Sequence, residues 1–227
     1  MATLVGVHVL VLVAGRVWPP SLRVYTQDLA LSLGALASGK VWTLLTYAGL
    51  HDLQGLGHLL LNVLALGFFG GPFEQRYGSK AYLRLALAAV VTGGAAQMLW
   101  QLLVGDGAFV VGASALTMAL VGAFAWANPG AEILLFFAIR MQARWLVPLS
   151  IGLDVLSALA GSDVALFAHL GGLAAAWFLV AAGGQPRTAW LRLRLLAAKL
   201  AGKPPPSQRF RVVEGGKARR PPPKEWN

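Results

Sequence analysis

"FVVGASALTMALVGAF", residues 109–124, is almost wholly apolar, yet it sets a hydroxyl, Ser114, just inside its start. A run of this kind reads as most of a membrane span, because about 20 apolar residues cross a hydrocarbon core as a helix. The rest of the 227-residue chain agrees. Hydrophobic residues make up 57% of it and charged residues 12%, and its mean hydropathy is +0.64, outside the range of an ordinary soluble domain. Apolar stretches recur between short Gly, Pro and charged breaks, and no ten-residue alternating pattern repeats. A helical bundle is therefore expected rather than a barrel.

We place spans at about 2–18, 56–72, 80–104, 111–128, 142–160 and 164–182, which predicts an all-α membrane protein of six transmembrane helices. Ala2 to Ala14 has the length of a signal-peptide core. It lacks a basic flank, and Arg16-Val17-Trp18 is a poor cleavage site, so it reads as a short first span. Placing both termini in the cytoplasm puts Arg76, Lys80, Arg84, Arg140, Arg144 and eleven basic residues from Arg187 to Lys224 inside. Only Arg16, Arg23 and Lys40 then fall outside, a bias of 16 to 3. The first outer loop, about 19–55, is half apolar and carries Trp42 and Tyr47, which suits the outer interface rather than water.

After Gly183-Gly184 the composition changes, dividing a membrane domain (1–183) from a basic, Pro-rich cytoplasmic tail (184–227). "RTAWLRLRLLAAKL" reads as an interfacial helix at about 187–201 on the anionic inner leaflet, and the remainder as disordered. The net charge of +10 thus points to membrane lipid. The tail lacks the interleaved aromatics of a nucleic-acid binder. The chain has no cysteine and its four histidines form no HExxH pair, so neither a metal nor another cofactor is expected. No internal repeat supports a transporter built from inverted halves.

Each polar group inside a membrane needs a reason. His58 and Asn62, at i and i+4, share one helical face in the second span. Ser114 opens the fourth span and His169 the sixth, and all four residues fall within the first two turns of helices that run from outside to inside. They therefore share one depth near the outer face. Ala115, Ala119 and Ala123 form a row of small residues on the fourth span, and Ala168, Gly172 and Ala176 form one on the sixth, which lets the two backbones approach. A neutral imidazole can take the proton of a serine nucleophile, and the oxyanion formed by attack on a carbonyl needs fixed donors. Asn62, His58 and the Ser114 amide suit that task, with Gly112 giving the backbone freedom to turn the donors inward. Asp154 either orients His169 or caps a helix end, and the second reading is preferred.

The motifs "VWTLLTYAGLHD", "GHLLLNVLALGFFGGPFEQRYGS", "GASALTMALVGA" and "AHLGGLAAA" resemble, in order, those of the rhomboid family of intramembrane serine proteases. The resemblance implies a Ser114 nucleophile in a GxSx motif, a His169 base in H-x-x-G, and an H-x-x-x-N pair, His58 and Asn62, that supports the oxyanion. It also implies structural roles for Glu74, Arg76 and Gly78 at the inner face. The chain departs from the family pattern at Ala115, Met118 and Thr43, where glycine, an aromatic residue and arginine are usual. The function expected is cleavage of single-pass transmembrane proteins near the outer face of a bacterial cytoplasmic membrane. The alternative is a rhomboid-like pseudoprotease that escorts membrane helices without cutting them.

Overall fold

The computed structural model describes residues 24–51, 56–105, 107–135, 138–161 and 165–202, so the expected first span and most of the basic tail lie outside the described residues. A π-helical turn (Val24–Leu29) precedes the short helices α1 (Leu33–Ala37) and α2 (Thr43–Thr46), the latter continued by a 3-10 turn at Tyr47–Gly49. Helix α3 (Leu56–Ala65) passes through a π-turn, Leu66–Gly70, into α4 (Gly71–Tyr77). Then come α5 (Ser79–Val104), α6 (Ser114–Ala127), a hairpin of β1 (Glu132–Leu135) and β2 (Ile139–Gln142), and α7 (Leu146–Leu159). Helix α8 (Leu166–Ala176) ends in a π-turn, Trp177–Ala181, and is followed by α9 (Pro186–Leu200). The described residues form two compact units that divide between Ala189 and Trp190, and the first carries everything that follows.

Among the described residues only α5, with 26 residues, is by itself long and apolar enough to cross a bilayer. It is bounded by Gly78 at φ +83°, whose N–H donates to Glu74 O at 2.7 Å, and by Gly105, whose N–H donates to Gln101 O at 2.9 Å. Leu85, Ala89, Gly93, Gln97 and Gln101 recur every fourth residue and are buried, whereas Leu83, Leu87, Leu99, Leu102 and Leu103 on its other faces are exposed. In lipid those leucines already lie in an apolar solvent, so cohesion must come from close packing of the buried stripe. Helix α6 is buried on nearly every side and forms the centre of this unit. Helix α8 packs chiefly on α5 and α6. The two rows of small residues meet there, with Ala119 and Ala123 clustering with Ala175 and Ala176.

The helical fold has one local exception among the described residues, between α6 and α7. Residues expected to lead into a span at 142 instead form an antiparallel pair, with Glu132 opposite Gln142 and Leu135 opposite Ile139. This apolar run follows a Pro129-Gly130 turn and is too short to span a membrane, and its β-branched residues suit a half-exposed strand, so the helix begins only at Leu146.

The segment ahead of α3 is tied down by polar bonds. Lys40 Nζ meets Asp28 Oδ1 at 2.6 Å, Trp42 Nε1 donates to Asp28 O at 2.7 Å, and the Thr43 hydroxyl donates to Lys40 O at 2.7 Å. Thr43, where the family pattern has arginine, is fully buried. At the far end of α3 and α4, Ser79 donates to Glu74 and Arg76 Nη1 donates to Asn128 Oδ1 at 3.0 Å, which joins the start of α5 and the end of α6 to α4.

Candidate active site

Ser114 is the first residue of α6 and is half-buried. The first N–H used inside this helix is that of Thr117, which donates to Ala113 O at 3.0 Å. The Ser114 amide therefore lies ahead of the ladder, at the positive end of the helix dipole, where an anion is favoured. The approach to Ser114 is fixed by main-chain bonds. Leu31 and Val110 exchange two, at 3.1 and 2.8 Å, and the Gly112 N–H donates to Tyr47 O at 2.9 Å. Gly112 thus spends its N–H on Tyr47. What it provides at the site is conformation and space, because its φ is +124° and a Cβ here would stand 2.6 Å from His58 Cε1.

Asn62 projects from α3 and is 3% exposed. Its Oδ1 accepts from the Thr117 hydroxyl at 3.1 Å, and its Nδ2 lies 3.1 Å from His51 Nε2. An amide nitrogen can only donate, so in this arrangement His51 Nε2 is the acceptor. This leaves the second amide hydrogen of Asn62 for another acceptor. Thr117 also reaches Ser114 O at 2.9 Å, which links the amide to the turn carrying the serine. The His51 ring stands edge-on to His58 at 5.5 Å, and its backbone is held through the Tyr25 hydroxyl, which accepts from His51 N at 2.9 Å and donates to His51 O. His51 and Thr117 were not singled out from the sequence. A histidine at the foot of an apolar loop, seven residues before His58, was the available signal for the first.

His169 lies in the first turn of α8, half-buried, three residues before Gly172 and so on the same helical face. That face meets α6 so closely that a Cβ on Gly172 would stand 2.0 Å from Ala115 O. Ser114 and His169 therefore occupy the first turns of two helices in backbone contact. Among the described residues no hydrogen bond joins the two side chains. Catalytic bonds of this kind are often long before substrate binds. His169 Nδ1 is instead 2.7 Å from Asp154 Oδ2 on α7, with both side chains about 15% exposed. Asp154 sits mid-helix, so the reading of it as a helix cap is corrected. Gln97 of α5 steadies the start of α8 by accepting from the Ala168 N–H at 3.3 Å. Among the described residues there is no cluster of side chains able to hold a metal.

Residues 38–186, which carry all of these groups, match the Rhomboid domain family. The chain belongs to the rhomboid family. It is therefore a membrane-embedded helical protein. This rhomboid is 30% identical over 192 residues to RHOMBOID-like protein 12, mitochondrial, of Arabidopsis thaliana, covering 76% of this chain and 54% of that protein. It is likewise 30% identical over 165 residues to Rhomboid protease GluP of Bacillus subtilis, covering 73% of this chain and 30% of GluP. RHOMBOID-like protein 7 of Arabidopsis thaliana is 32% identical over 155 residues, with 62% of this chain and 44% of that protein covered. The rhomboid thus spans about half, or less, of the length of the curated relatives it matches. The family includes serine intramembrane proteases, GluP among them.

Proposed function

We propose that this rhomboid is an intramembrane serine endopeptidase acting through Ser114 and His169. The observation that carries the reading is the crossing of α6 and α8 at Ala115 and Gly172, which brings together the two first turns holding a serine and a histidine. His169 takes the Ser114 proton as Oγ bonds to the scissile carbonyl carbon. The Ser114 N–H, Asn62 and His58 bind the resulting oxyanion. Collapse breaks the C–N bond, His169 returns its proton to the leaving amine, and water then hydrolyses the acyl-enzyme by the same steps in reverse order.

The substrates are single-pass transmembrane proteins cut near the outer face of a bacterial cytoplasmic membrane, with both termini of the enzyme cytoplasmic and the basic tail against inner-leaflet lipid. An intact helix hides its carbonyls in hydrogen bonds. Good substrates therefore carry Gly, Pro or other helix-weakening residues below the cut. Cleavage of a fluorescent single-pass reporter in proteoliposomes tests the reading with wild type, Ser114→Ala and His169→Ala. Cutting by wild type and by neither folded variant supports it. A folded wild type that binds a panel of reporters and leaves them intact would point to the escort function instead.

A further inference from the structure

We infer that Asp154 is a positioning residue for His169, so that the base of this rhomboid belongs to a Ser114–His169–Asp154 triad rather than to a dyad. The inference rests on the protease reading above for its catalytic consequence and on geometry for the pairing itself. A carboxylate within a membrane helix is expensive unless it has a partner. Among the described residues the partner of Asp154 is the imidazole: Oδ2 is 2.7 Å from His169 Nδ1, and no lysine or arginine forms a salt bridge with it. Asp154 is the ninth residue of α7, well clear of both helix ends, so terminal amides do not explain its presence.

The chemistry follows from which nitrogen is engaged. An ionised carboxylate only accepts, so Nδ1 must carry a hydrogen. The neutral ring then keeps its lone pair on Nε2, the nitrogen left to accept from Ser114. The bond also prevents the ring from turning over, which would offer the wrong nitrogen. When the Ser114 proton arrives on Nε2, the ring becomes cationic beside the carboxylate that already holds its other nitrogen. This is the division of labour in the soluble Ser-His-Asp proteases.

Two measurements test the pairing, one of them independent of activity. Side-chain nitrogen NMR of the histidine-labelled protein in micelles reads the tautomer of neutral His169. Wild type is expected to carry the hydrogen on Nδ1, and Asp154→Ala to shift the population toward Nε2. Reporter kinetics in proteoliposomes, on variants matched for thermal unfolding, should show Asp154→Ala losing kcat by about 10²- to 10⁴-fold with KM little changed. Asp154→Glu should recover at least tenfold of that loss, which a packing role would not produce. A wild-type ring protonated on Nε2, or a tautomer indifferent to Asp154→Ala, overturns the inference. So does an Asp154→Ala enzyme with wild-type kcat, and in that case the protease reading stands. If wild type cuts nothing, that reading falls, and the tautomer alone decides whether Asp154 holds the ring.

Discussion

The methyl group of Ala115 occupies the space that a side chain on Gly93 would need. A Cβ built on Gly93 would stand 2.6 Å from Ala115 Cβ and 2.8 Å from Ala168 O. The alanine that follows the serine, where glycine is usual in this family, is thus accommodated by a glycine on the neighbouring helix. Gly93→Ala should destabilise the fold by about 1–3 kcal/mol through overpacking. Adding Ala115→Gly should recover part of the loss, the Ala168 carbonyl remaining in the way. Thermal unfolding of the three variants in detergent reads both effects.

Gly172→Ala meets a different obstacle. Its Cβ would lie 2.0 Å from a backbone oxygen, that of Ala115, so no side-chain deletion on α6 can relieve it. The expected cost exceeds about 2 kcal/mol and persists in the Ala115→Gly background, as unfolding of the double variant would reveal.

Gly112→Ala combines a positive φ with a clash against the His58 ring. We expect a loss of about 1–3 kcal/mol from strain alone. His58→Ala should lift the clash and leave the strain, so the double variant is predicted to remain less stable than His58→Ala by chemical denaturation.

Asn62 is oriented from both ends, by Thr117 and by His51. Asn62→Ala should lower kcat by roughly 10²- to 10³-fold, as loss of an oxyanion donor does. His51→Leu and Thr117→Val roughly keep their volumes and lose their bonds to the amide, and each should lower kcat by about tenfold. In the Asn62→Ala background neither should lower it further, because each acts through the missing amide. Reporter kinetics on the full cycle would expose additivity and so sink the idea.

Ser114→Ala should be nearly silent in stability, within about 0.5 kcal/mol, since the half-buried hydroxyl makes no hydrogen bond among the described residues. A folded, inactive variant is therefore available for trapping substrate, and a large drop in its unfolding temperature would contradict the structure.

The sequence made Ser114, His169, His58 and Asn62 conspicuous because polar side chains in apolar runs stand out without any knowledge of their partners. The ends of α5 were equally legible, bounded as they are by Gly78 and Gly105. Other features depend on contacts that local pattern does not encode. His51 meets Asn62 eleven residues away, Thr117 meets the same amide across 55, and Asp154 meets His169 across 15. Gly93 looks like any helix glycine until Ala115 is seen against it. The hairpin escaped because residues 129–141 read as the break between two spans, and strands of four residues are too short to register as a repeating alternation.

Leu31, Val110, Gly112 and Tyr47 are joined through amide and carbonyl groups, which nearly every residue type supplies. The bonding itself selects no side chain there; at Leu31, Tyr47 and Val110 the choice is made by the core they fill, so an apolar replacement of matching shape would leave the nucleophile at its station. Proline at 31, 110 or 112 would cut the stitch itself by removing an N–H, and position 112 is held to glycine besides, by its φ of +124° and by the His58 ring. Such a seam keeps one property heritable, the position of an atom, by bonds that do not depend on the spelling of the side chains beside them.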